Sequence, residues 1–130
     1  MRLRMRDRTD PAEDLPVHDG VMYTGAMGDC VCVIALWNFD HQTQSYQNVR
    51  GHHGGGGAAG VNIASVLNGV PDQLETMVCI MAGPNNSAVP RAVRDFQRRV
   101  KALLPGPTRV IVKYNVGDGF VNRAGAIFPP

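Results

Sequence analysis

The sequence predicts an α/β (α+β) fold in a single domain: a mixed, largely antiparallel β-sheet with helices packed on it as a layered sandwich. Three observations predict it. Two runs, "VCVIALW" from Val31 and "ETMVCIMAG" from Glu75, are short and apolar at successive positions, the pattern of strands covered on both faces. One segment, "PRAVRDFQRRVKALL", carries apolar residues at helical spacing. A chain of 130 residues with 44% apolar and 18% charged content can bury one core, and its elements alternate in the middle and double back at the ends.

Residues 1–20 mix Arg2, Arg4, Arg6 and Arg8 with Asp7, Asp10, Glu13 and Asp14 and are broken by Pro11 and Pro16, which reads as a flexible N-terminal arm ahead of the folded domain at 21–130. Val31 to Trp37 is the first buried strand. "DHQTQSYQNVRG" alternates weakly and predicts a hairpin turn with a returning strand from Gln44 to Arg50. "GHHGGGG" interrupts the pattern. Val61, Ile63, Ala64, Val66 and Leu67 then fit an amphipathic helix of about three turns, ended by Asn68 and Gly69. "ETMVCIMAG" is the second buried strand.

Ser87 precedes Pro90 at the start of the clearest helix, which runs over 90–104. Val93, Phe96, Val100 and Leu103 share one face, and Arg91, Arg94, Arg98, Arg99 and Lys101 lie largely on the other, a solvated basic face. "PGP" closes the helix, "TRVIVKYNV" is a strand, "GDG" a turn and "FVNRAGAIF" a last, Gly-interrupted strand.

A formal charge of +2 gives no reason to invoke nucleic acid or an anionic membrane as partner. No apolar run approaches the roughly 20 residues a membrane span needs, and the arginines of the N-terminus have no apolar stretch behind them, so neither anchor nor signal peptide is expected. Cys30, Cys32 and Cys79 cannot all pair, and the first two are too close along a strand to bond easily. Thiols in a reducing cytoplasm are expected, either the producing cell's or that of a target cell reached by a non-classical secretion route.

A reactive cysteine needs a base to take its proton and donors for the oxyanion that forms on the attacked carbonyl. Gly25 and Gly28 form a loop of little side-chain bulk before Cys30, and the backbone N–H groups from Gly28 to Cys30 are candidates for the oxyanion hole. Asp29 would raise a thiol pKa if it pointed inward, so it is expected to face solvent or substrate. Of the histidines, His18 lies in the arm and His41 in the hairpin turn, whereas His52 and His53 fall at the end of the returning strand. Successive side chains on a strand point to opposite faces, so only one of the pair can face Cys30. His52 is the favoured base and His53 the alternative. "GHHGGGG" could instead cradle a phosphate, but no G-x-x-x-x-G-K-[ST] is present, and zinc on His52, His53, Cys30 and Cys32 would lack the usual ligand spacing. Residue types alone leave a buried core cysteine and a catalytic cysteine equally open.

The order T-x-x-x-G-x-C, here Thr24, Gly28 and Cys30, followed by an apolar strand and a histidine after a second strand, resembles the chemotaxis-receptor glutamine deamidases (the CheD family). The later part, with His52, His53, a following glycine, a helix, a strand ending in "MAGPNN" and a long amphipathic helix, is similar to the protein N-terminal asparagine amidohydrolases. The toxin deamidases of the cytotoxic necrotizing factor type share a glycine-preceded cysteine and a downstream histidine. The resemblance implies Cys30 as nucleophile, His52 as base and Thr24 as the orienting third member. It implies hydrolysis of a glutamine, or an asparagine, on a protein substrate through a thioester, with no metal or organic cofactor, in a bacterial effector, a toxin or a housekeeping enzyme. A cysteine protease or transglutaminase-like acyl transferase would use the same dyad, and a small α/β binding domain would merely bury Cys30.

Overall fold

The computed structural model describes residues 1–85 and 90–130. The expected helix start at Ser87 and the last residue of "MAGPNN" lie outside them. The elements are β1 (Arg2–Leu3), β2 (Met5–Arg6), β3 (Glu13–Asp14), β4 (Val21–Thr24), β5 (Val31–Asp40), β6 (Ser45–Gly54), α1 (Ile63–Leu67), β7 (Met77–Ala82), α2 (Pro90–Leu103), β8 (Arg109–Lys113), β9 (Gly119–Asn122) and β10 (Ile127–Phe128), with a 3-10 turn at Ala58–Gly60.

The described residues form a mixed α/β domain of two sheets and two helices. The larger sheet runs β2-β6-β5-β7-β8, with β3 also paired to β6, and the smaller runs β1-β4-β9-β10. Strand alternation separates two cores. Cys32, Ile34 and Leu36 of β5 pack with Met77, Cys79 and Met81 of β7 against Met22 and Val121 of the smaller sheet. Val31, Val33, Ala35 and Trp37 face the other way, with Val78 and Ile80, onto Val66 of α1 and Val93, Phe96 and Val100 of α2. The layers are therefore sheet, sheet, helices, and the central strands are apolar on both faces because both faces are covered.

Several elements differ from the sequence expectation, each for a physical reason. The returning strand does not stop at Arg50: Gly51, His52, His53 and Gly54 pair with Ile34, Val33, Cys32 and Val31, so β6 runs through the histidines. The helix after the glycines is shorter, Ile63–Leu67, because Asn62 caps it, its side chain accepting from Ser65 N at 3.2 Å. "TRVIVKYNV" and "FVNRAGAIF" do not pair with each other. β8 lies parallel to β7, while β9 joins β4 and folds back on β10.

Residues 1–20, expected as a loose arm, are built into both sheets. β1 runs parallel to β4, β2 parallel to β6 and β3 antiparallel to β6. Leu3 and Leu15 are buried in the inter-sheet core. Arg123 fastens the stretch further, donating to the carbonyls of Leu15, Pro16 and Asp19 and to those of Tyr46 and Gln47 on β6. These charge-assisted bonds give the backbone carbonyls of the stretch a fixed donor and tie it to the sheet.

Candidate active site

β4 ends at Thr24, and the loop from Gly25 to Asp29 leads into β5 with Cys30 at its head. That loop is fixed by its carbonyls: Gly28 O accepts from Asn85 N at 3.0 Å and Cys30 O from Gly83 N at 2.9 Å. A side chain on Gly83 would run into the Gly28 carbonyl oxygen, so the glycine is what lets the two segments touch. Asp29 is exposed, and Cys30 is 8% exposed.

The register of β5 and β6 decides between the two histidines. His53 stands opposite Cys32 and His52 opposite Val33. Paired residues share a face, and Cys30 and Cys32 both belong to the inter-sheet core. His53 is thus a diagonal neighbour of Cys30, and His52 is on the far side of the sheet. The register thus puts His53, the alternative base, on the Cys30 face and His52, the favoured one, on the opposite face.

The surroundings of the two rings differ as well. His52 is buried and doubly bonded: Asn62 N donates to Nδ1 at 3.4 Å, and Nε2 donates to Asp7 O at 3.1 Å. Both ring nitrogens are occupied in holding β6 to its flanking loops. His53 is equally buried, yet Nδ1 meets the Thr24 hydroxyl at 3.4 Å and Nε2, also buried, makes no hydrogen bond among the described residues. Burial holds the His53 pKa below the ordinary histidine value; the Leu3 main chain opposes this, and His52 and Arg2 add to it. The imidazole is accordingly neutral near neutral pH, with one nitrogen available as an acceptor.

Thr24, itself buried, links His53 to a second group. Its hydroxyl also reaches the Cys32 thiol, and burial nonetheless pushes that thiol up to about 12. The Thr24 hydroxyl thus stands between the His53 ring at Nδ1 and the Cys32 thiol, and as both donor and acceptor it pairs with either ring tautomer. Sequence reasoning had no signal for this use of Cys32. Cys79 is likewise raised to about 12 by burial.

A cavity of about 420 Å³ opens onto His53, lined by Arg2, Leu3, Arg4, Met5, Gly25 and Ala26. Met5 was also missed: its Sδ lies 3.7 Å from Cys30 Sγ. The strict alternation of Arg2, Arg4 and Arg6 with Leu3 and Met5 was a strand signal that could have found it. Among the described residues no three His, Cys, Asp or Glu side chains gather as metal ligands, and His52 faces away from Cys30 and Cys32. No helix among them is long and apolar enough to cross a membrane.

No family model matches the chain, and no curated protein matches it.

Proposed function

We propose that the protein is a cysteine-dependent protein deamidase in which Cys30 is the nucleophile, His53 the base and Thr24 the group that orients the base. The observation that carries this is the buried His53 ring, bonded at Nδ1 to Thr24 and without a hydrogen bond at Nε2 among the described residues, on the Cys30 face of β6.

The His53 imidazole takes the Cys30 proton, and the thiolate attacks the side-chain carboxamide. The resulting oxyanion forms beside the Gly28–Cys30 loop, whose Gly28 carbonyl is held by Asn85 N. The imidazolium returns its proton to the departing ammonia. Water, deprotonated by the same ring, hydrolyses the thioester, leaving a carboxylate on the substrate and the thiol restored. The net reaction is amide plus water to acid plus ammonia. It places a negative charge on the target where there was none, enough to alter a partner's local electrostatics.

The resemblance to the glutamine deamidases supports the same assignment through Thr24, Gly28 and Cys30. The test is the mass of proteins in a cell lysate after incubation with the wild-type chain and with Cys30→Ala. A gain of about one dalton at single glutamines, present only with the wild type, is the expected result of this chemistry. New peptide termini or cross-links in its place would contradict deamidation and favour a protease or acyl transferase.

A further inference from the structure

Met5 occupies an unusual position for an exposed apolar residue. It is 64% exposed, yet its sulfur contacts the thiol of Cys30, a residue only 8% exposed. It sits on β2, an edge strand of the larger sheet that shares the β6 edge with β3, and pairs there with His53, the proposed base. Its Sδ lies 3.7 Å from Cys30 Sγ and would be 2.9 Å from a side chain on Gly55, so a glycine at that position leaves it room.

Methionine and glutamine have the same unbranched length, and the sulfur of one stands where the carboxamide carbon of the other would be. We infer that residues 4–6 are a built-in pseudosubstrate: the true substrate is an extended, glutamine-bearing segment that replaces β2 along the edge of β6, with its glutamine in the Met5 register. This rests on the deamidase reading of Cys30 and His53. A thioether has no carbonyl to attack, so the segment occupies the site without reacting. A glutamine there would bring its Cδ into contact with Sγ, close to the roughly 3 to 3.5 Å of a reactive approach. An asparagine would fall one bond short. The geometry thereby selects glutamine and a strand-like presentation, in which main-chain pairing gives affinity and the side chain gives specificity.

Displacement of β2 is confined to residues 4–6, since Leu3 before them is buried and Asp7 after them accepts from His52, and within that span β2 itself is weakly held. The strand has two residues, and its ion pair, Arg6 to Glu13 at 2.6 Å, is partly exposed. A target segment that also displaces β3, which pairs Glu13 and Asp14 with Gly51 and Arg50, would pair over more of the edge and outcompete it.

The experiment is Met5→Gln in the full chain, followed by the mass of the peptide that carries residue 5. The expected result is self-conversion of the introduced glutamine: a gain of about one dalton, or a loss of about 17 if the thioester persists, at a rate independent of protein concentration. Met5→Asn and the double variant Met5→Gln, Cys30→Ala should show neither. Met5→Ala supplies a second readout that does not need turnover, since uncovering Cys30 should speed its alkylation several-fold. An unconverted glutamine at position 5 in a folded variant, or unchanged alkylation in Met5→Ala, overturns the inference. If wild-type protein still converts lysate glutamines in either case, the deamidase reading stands without it; if no Cys30-dependent conversion occurs anywhere, both fall.

Discussion

Thr24 is a small residue with two tasks, since one hydroxyl serves both His53 and Cys32. Thr24→Val keeps the shape and removes both bonds. A buried neutral hydrogen bond contributes about 1 kcal/mol, so kcat should fall about five- to tenfold with KM little changed, measured on a converted glutamine peptide. The three cysteines should also separate by reactivity. Cys32 and Cys79 stay protonated with pKa values pushed up to about 12, so only Cys30 should be alkylated in the folded protein near pH 7. Mass mapping of the labelled peptides checks this. The cysteine, the threonine and the need to choose one of two adjacent histidines were legible in the sequence. The choice itself was not, because it depends on the register of a hairpin of ten-residue strands, and a slip of one residue moves every side chain to the other face.

At the scale of elements, β6 joins the proposed site to the rest of the sheet. It passes through "GHHG" because its glycines admit close backbone neighbours: a side chain on Gly54 would collide with the main chain of Gly60, and one on Gly60 with the carbonyl of Gly55. These are backbone atoms that cannot yield, so Gly60→Ala should cost about 3 kcal/mol or more in a denaturant melt. The same glycines hid the strand in the sequence, since four in succession read as a break. The buried strands β5 and β7 were legible because unbroken apolar, β-branched runs have few other uses. β1 and β2 were not recognised, although their residues alternate, because arginines and aspartates mask so short an edge strand. Nor could pattern alone divide the strands between two sheets, for which the inter-sheet contacts of Met22 and Val121 are decisive.

For the whole molecule, the lowered His53 pKa ties stability and turnover to the same proton. The unfolded histidine binds a proton near 6.5 and the folded one only at lower pH, so the unfolded state holds more protons in between. Stability should therefore fall as pH drops below 6.5 and level off beneath the folded pKa, and His53→Gln should remove that part of the slope. Turnover should show its acid limb in the same window, because protonation disables the base. The most direct test compares Cys30-dependent glutamine conversion in wild type, His53→Ala and His52→Ala, each first shown to be folded. His52→Ala should lose stability, about 3 kcal/mol for a buried ring with two hydrogen bonds, yet retain conversion at a temperature where it is folded. His53→Ala should lose conversion by about two to four orders of magnitude, the usual contribution of a general base. Loss of conversion in folded His52→Ala with His53→Ala still active would contradict the assignment of base, orienting group and face together.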